Sequence, residues 1–225
     1  MLNLSCPQAE LYAGVQTVSH GVSGRSTQPV QNNIYLESGA DGLRLVATDL
    51  EFISLEATIA AGVSGEGAVT VPARLLTEVI GSLAGEEIRL AADDQSTLTV
   101  ETGRSSFRIR GMPAGDFEML PALDSPIEFE LTQRDTAAIL SQTVFATSRD
   151  ETRPILTGAL FNISPGGLEV VATDTYRLAL RRMTADIPIE TARSAIISQR
   201  ALNEVLRIVD AESEEPVRLS LSDSQ

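Results

Sequence analysis

Leu11, Val15, Val18 and Val22 recur at steps of four and three, the spacing of one apolar helix face. Gly24 and Pro29 end that pattern. Extended segments follow over 33–37, 43–48 and 52–59. In the last of these Phe52, Ser54, Glu56 and Thr58 alternate with Ile53, Leu55, Ala57 and Ile59, the period of a half-buried strand. Residues 68–71 predict a short strand, and Pro72 opens a second helix with the apolar stripe Leu76, Val79, Ile80 and Leu83. Segments 87–91, 96–101 and 106–110 predict further strands, with Asp93-Asp94 and Gly103 as turns.

The second half predicts the same order. Ala137, Leu140 and Val144 stripe a helix, and 160–163, 168–172 and 177–184 read as strands. Leu202, Val205, Leu206 and Val209 stripe another helix, and a strand begins at Val217. Residues 121–126, with a proline at each end, separate the halves as an extended linker.

The halves also match residue by residue. Leu45-Val46-Ala47-Thr48-Asp49 returns as Val170-Val171-Ala172-Thr173-Asp174, each preceded by Gly-Leu at the same offset. Gln16-Thr17-Val18 returns as Gln142-Thr143-Val144, Pro29 as Pro154, and Val71-Pro72-Ala73-Arg74 as Ile197-Ser198-Gln199-Arg200. Ordered landmarks of this kind signal two copies of one domain. Each copy has two helices among antiparallel strands, an α+β fold with the helices on one face of a sheet.

With 225 residues, each copy is long enough for its own core, and the 43% apolar content without Trp makes that core aliphatic. No run approaches the ~20 apolar residues of a membrane helix, and Met1-Leu2-Asn3-Leu4 lacks a basic region before an apolar stretch. Cys6 is the sole cysteine, which forbids an internal disulfide and suits a reduced, cytoplasmic setting. The net charge of −14 argues against a nucleic-acid binder in general. All 17 basic residues are Arg, so their placement matters more than their number.

Signatures of catalysis are scarce. The chain has no GxxxxGK[ST] loop, no GxGxxG and no GxSxG. His20 is the only histidine, which excludes a histidine metal cluster and suits a surface position; Cys6 suits a small strand residue. Asp49 and Asp174 are a formal candidate for a carboxylate pair shared between two lobes. The residues after each Asp, Leu50-Glu51 and Thr175-Tyr176, lack the glycine such enzymes carry, so a turn in which the Asp caps backbone N–H groups is the stronger reading. No metal and no cofactor is expected.

Several segments together resemble the bacterial DNA polymerase III beta subunit family, the sliding clamps. They are Ser23 to Val30 after the first helix, Val46 to Glu51, Val71 to Arg74, and Gly111-Met112-Pro113-Ala114-Gly115-Asp116-Phe117-Glu118-Met119-Leu120-Pro121 before the second copy. Arg153 to Gly158 and Ala172 to Ala179 complete the set. The resemblance covers the whole chain in order. It implies the DNA-clamp fold, with an N-terminal domain over 1–122, an incomplete middle domain over 127–225, and no third domain in this chain. It implies a non-enzymatic processivity factor whose full-length form is a homodimeric ring around double-stranded DNA. The implied partners are DNA polymerase III, a clamp loader and clamp-binding peptide motifs. The alternative is a peptide-binding adaptor that uses the fold without encircling DNA.

In this family the cations line the hole of an acidic ring. The resemblance and the helix pattern together nominate Arg25, Arg74, Arg149, Arg193, Arg200 and Arg207 for DNA. Arg25 and Arg149 close the first helices, Arg74 opens a second helix, and Arg193 stands just before the last helix. Arg200, Asn203 and Arg207 share its polar face. Asp150 and Glu151 weaken the field of Arg149, and Glu78 and Glu204 dilute the helices. For the partner peptide the resemblance implies a cleft walled by Leu156, Thr173, Thr175, Tyr176, Arg177 and Leu178. Tyr176 stands where many members have His, and Thr175 where many have Gly.

Overall fold

The computed structural model describes residues 1–22, 28–120 and 127–222. The chain divides into two compact units, Met1–Leu120 and Pro121–Gln225.

In the first unit, β1 (Asn3–Pro7) leads into α1 (Gln8–Ser19). Then come β2 (Asn33–Gly39), β3 (Gly42–Thr48), β4 (Ser54–Ile59), β5 (Gly62–Gly65) and β6 (Gly67–Pro72). Next are α2 (Ala73–Ser82), β7 (Glu87–Ala92), β8 (Thr97–Thr102), β9 (Ser105–Arg110) and the short β10 (Met112–Pro113). Two antiparallel five-stranded sheets result, in the orders β5-β1-β7-β8-β9 and β10-β6-β2-β3-β4. Leu11, Val15 and Val18 of α1 and Leu76 and Ile80 of α2 are buried against Ile34, Leu36, Leu43, Leu45, Val71, Ile88 and Leu90 of the sheets. A second, smaller apolar cluster lies on the opposite face of the β2–β3 pair, where Tyr35, Val46 and Phe117 are buried together.

The second unit contains β11 (Ile127–Thr132), α3 (Gln133–Ser141), β12 (Gly158–Ser164), β13 (Gly167–Thr173) and β14 (Leu178–Thr184). It continues with β15 (Arg193–Ser198), α4 (Gln199–Ile208) and β16 (Pro216–Leu221). Its four-stranded sheet has the order β15-β12-β13-β14, which is the order β6-β2-β3-β4 of the first unit. The register repeats as well. Asn33 pairs with Pro72 and Tyr35 with Val46; Gly158 pairs with Ser198 and Leu160 with Val171. Strands β11 and β16 pair as β1 and β7 do. Gly42 and Gly167 close the equivalent hairpins at φ of 112° and 146°, and a Cβ on either would strike a carbonyl oxygen of the adjacent strand, Ile59 of β4 or Met183 of β14. Those glycines are therefore part of the repeat for a steric reason.

Several elements differ from the sequence pattern. Pro72 ends β6 and caps α2 instead of opening it. Helix α3 stops at Ser141, so Val144 is not on its stripe but in a 3-10 turn over Val144–Ala146. The buried Thr143 hydroxyl donates to the Ile139 carbonyl at 2.7 Å there, where α1 simply continues to Ser19. Phe52 and Ile53 belong to the turn before β4. The linker over 121–126 lies outside the described residues.

Candidate functional site

Two turns occupy equivalent places, one after β3 and one after β13. In the first, Oδ1 of Asp49 accepts the N–H groups of Glu51, Phe52 and Ile53 at 3.0, 2.8 and 2.9 Å. In the second, Oδ1 of Asp174 accepts those of Tyr176 and Arg177, both at 3.0 Å. The Thr48 hydroxyl accepts from Leu50 N–H and donates to Ile53 C=O; Thr173 does the same with Thr175 and Arg177. The residue after each Asp is left-handed, Leu50 at φ 58° and Thr175 at 81°. A β-branched residue in that region is strained. The repeated Thr-Asp is thus a turn device, with the first turn longer by one residue. Hydrogen bonds from the Arg177 and Tyr176 N–H groups and from the Arg177 side chain hold the Asp174 carboxyl below the usual carboxylate range.

The second turn displays its residues outward. Tyr176 is 95% exposed and Leu178 64% exposed. Arg177 is held from three sides. Its Nε meets Asp174 at 3.0 Å, its Nη2 donates to the Phe145 carbonyl at 2.8 Å, and its guanidinium lies 5.4 Å from the Phe145 ring centre. In the loop before β12, Ser148 N–H donates to the Leu156 carbonyl at 2.8 Å. The Asp150 carboxylate, which binds Thr152 and Arg153, folds that loop. Thr173, Thr175, Tyr176, Arg177 and Leu178 therefore lie on one turn and its flanking strands, and Leu156 is half-buried in a separate 3-10 turn over Pro154–Thr157. Sequence reasoning missed two exposed apolar residues, Phe145 in the 3-10 turn over Val144–Ala146 and Ile155 beside Leu156. Phe145 lies off the stripe of Ala137 and Leu140, which is the signal that it could face outward.

Among the candidate cations, Arg74 and Arg200 are the second residues of α2 and α4, equivalent positions. Arg207 and Asn203 are exposed on α4, while Leu202, Val205 and Leu206 of the same helix pack into the core. Arg74 is paired with Glu78 at 2.8 Å, and Arg207 with the buried Glu204 at 2.7 Å. Two placements differ from expectation. Arg149 does not close α3 but lies eight residues past it in an irregular loop, because the chain turns at Thr143 and then forms a 3-10 turn. Arg193 does not abut α4. It begins β15, whose five steps to Ser198 span about 16 Å at ~3.3 Å per residue before the helix opens. Arg25 lies outside the described residues.

His20 caps α1 from an exposed position, and Cys6 is buried in β1, where burial pushes its thiol up to about 11. Among the described residues no group of three or more His, Cys, Asp or Glu could hold a metal ion. No helix of the described residues is long and apolar enough to cross a membrane.

A duplicated α+β domain, with paired helices against antiparallel sheets and an exposed turn after the third strand of its second copy, is the architecture of sliding clamps. Residues 2–121 match the family model for the DNA polymerase III beta subunit N-terminal domain, and residues 130–225 that for its central domain. The chain belongs to the DNA polymerase III beta subunit family. It is 32% identical over 221 residues to the beta sliding clamp of Halalkalibacterium halodurans, covering 94% of this chain and 58% of that protein. It is 34% identical to that of Synechocystis sp., covering 100% and 62%. Its fold matches the crystal structure of the Bacillus subtilis DNA polymerase sliding clamp with a TM-score of 0.93 at 26% identity, over 99% of this chain and 60% of that one. For the Pseudomonas aeruginosa DNA polymerase III subunit beta the TM-score is 0.90 at 28% identity, over 98% and 60%. One structure of the Pseudomonas protein is bound to griselimycin. The chain thus spans about three fifths of the length of the relatives it matches.

Proposed function

We propose that this chain is the N-terminal domain, over 1–122, and most of the middle domain, over 127–225, of a cytoplasmic DNA polymerase processivity factor that acts without catalysis. The full-length form is a homodimeric ring, placed on double-stranded DNA by a clamp loader, which tethers DNA polymerase III. Its advantage is topological: a closed ring cannot leave a circular duplex, so the effective concentration of the tethered enzyme stays high. The observation that carries this reading is the duplicated domain, matched to the beta-subunit family in both copies and in order.

Arg74, Arg200 and Arg207 face the duplex in this reading from helices, Arg149 and Arg193 from a loop and the start of a strand, with Arg25 added from outside the described residues. Contacts to phosphate position a protein without reading sequence, as sliding requires. Leu156, Thr173, Thr175, Tyr176, Arg177 and Leu178 form one wall of a cleft for partner peptides. The exposure of Tyr176 and Leu178 supports this, since an apolar anchor must be reachable before it is buried by a partner.

The test uses the full-length protein of the same gene. It is loaded onto a nicked circular plasmid and followed by gel filtration. Retention on the circle and loss after linearisation is the expected result. Equal retention on both forms, or on neither, refutes the ring.

A further inference from the structure

The two units present different chemistry on their helices. Helices α1 and α2 carry one arginine, Arg74, against Glu10 and Glu78, and Arg74 is already paired with Glu78 at 2.8 Å. Helices α3 and α4 carry three arginines, Arg134, Arg200 and Arg207, against Asp135 and Glu204. The two helix pairs hold the same places in the repeated order of elements. If the second pair meets a duplex through cations, the first has little positive charge of its own with which to do the same.

One exchange between the copies supplies an alternative. Gly81 is the ninth residue of α2, and Arg207 is the ninth of α4. The space over Gly81 is filled from the neighbouring helix by Tyr12, because a Cβ at residue 81 would stand 2.9 Å from the Tyr12 ring. The body of Tyr12 packs on the edge of the core, while its hydroxyl accepts Nε2–H of the exposed Gln16 at 3.0 Å. The two residues lie one turn apart on α1, so the pair is built on a rigid element. The amide takes one lone pair of the hydroxyl and leaves its proton. Among the described residues the Tyr12 O–H donates to no group, and Gln16 Nε2 donates to Tyr12 alone. Two neighbouring donors suit the oxygens of one phosphodiester.

We propose that Tyr12 and Gln16 form a neutral phosphate contact of the first unit, a hydroxyl–amide pair that serves the backbone of a duplex where the second unit uses Arg207. This rests on the reading that these helices face DNA. Tyr and Gln side chains are ordinary donors to backbone phosphate, and such contacts carry no base preference. They neutralise no phosphate and so release no counterion, which makes them as strong in concentrated salt as in dilute. The hold of the first unit on the duplex is therefore insensitive to salt, and that of the second unit is not.

The test titrates a short labelled duplex with the full-length protein over a series of salt concentrations. Tyr12→Phe keeps the ring over Gly81, and Gln16→Ala changes an exposed residue, so both variants should fold, which circular dichroism checks. Each should weaken binding about threefold, the effect of one exposed hydrogen bond. The loss should be the same at every salt concentration, with the slope of log affinity on log salt unchanged. Transplanting the second unit's design, Tyr12→Ala with Gly81→Arg, should recover affinity in dilute salt and steepen the slope by about 0.9, the value for one more neutralised phosphate. Arg200→Glu with Arg207→Glu is the control and should flatten the slope. Parental affinity in Tyr12→Phe and Gln16→Ala, with a flattened slope in the control, overturns the proposal and leaves the DNA-facing reading standing. An unchanged slope in the control removes that reading and the proposal with it. A transplanted arginine that leaves the slope as it was overturns the equivalence of residues 81 and 207 on which the proposal stands.

Discussion

Replacing Asp49 with Ala should destabilise the first unit strongly, whereas the same change at Asp174 should barely affect the second. One oxygen of Asp49 receives three backbone N–H groups within 3.0 Å, and the residue is buried. A hydrogen bond to a charged group contributes about 1.5–3 kcal/mol, and an N–H left unpaired away from water costs about 1–3 kcal/mol. The three donors are only partly shielded, and water recovers some of that loss. The expected cost is therefore about 3 kcal/mol in all, or a fall of roughly 10 °C in the melting temperature of a unit this size. Asp49→Asn should cost about half as much, because the amide oxygen can still accept where Oδ1 does but without charge. Asp174 receives two N–H groups at an open turn, where water replaces a lost acceptor. Hydrogen exchange resolved by segment, with urea titration of each variant, separates the units. Equal loss at both sites, or an Asn variant as damaged as the Ala one, would refute the capping argument. Hydrolytic activity abolished by either change would revive the shared-carboxylate reading.

Four further outcomes follow from the same geometry. Tyr176→Ala in the full-length protein should weaken a clamp-binding peptide at least tenfold with folding intact, since truncating a hot-spot aromatic costs about 2 kcal/mol or more; equal affinity by calorimetric titration removes Tyr176 from the cleft. Arg200→Glu with Arg207→Glu should weaken duplex binding and flatten its salt dependence, because fewer counterions are released; an unchanged slope counts against a DNA-facing α4. Thr175→Gly should leave the second unit as stable or raise it by about 0.5 kcal/mol, relief of left-handed strain offsetting the added freedom of the unfolded chain; a lower urea midpoint speaks against strain at φ 81°. The Asp174 carboxyl should titrate below the unfolded value of about 3.9. Its contribution to stability is then full above that value and lost as pH falls through the folded pKa, and a midpoint at or above 3.9 by carbonyl NMR contradicts it.

Much of the fold was legible because the chain repeats itself. The helix stripes of Leu11–Val18 and Leu76–Leu83 and most of the central strands carry strong periods, and the Thr-Asp turn was readable from the residues that follow it. Strands β1, β5, β11 and β15 were not foreseen. Asn3–Pro7 has only two inward apolar residues and ends in proline, and Arg193–Ser198 reads as the approach to a helix until its pairing with β12 is known. The misplacement of Arg149 and Arg193 has the same origin: sequence distance from a helix says little once a 3-10 turn or a strand intervenes. That Phe145 faces outward had a signal in the stripe it misses, but its pairing with Arg177, 32 positions away, had none.

The helix arginines bring their own counter-charge with them. Arg74 holds Glu78 one turn on, and Arg207 holds Glu204 one turn back, in a pair whose carboxylate is anchored in the protein. A polyanion approaching either cation must displace a carboxylate already in place. The exchange trades one anion for another, and only the difference between them is gained. Such residues make shallow wells rather than anchors, which suits the sliding contact proposed for these helices. In the proposed ring, freeing Arg74 by Glu78→Gln would deepen one well and add drag, so tighter hold and easier travel would be opposed properties of the same pair of residues.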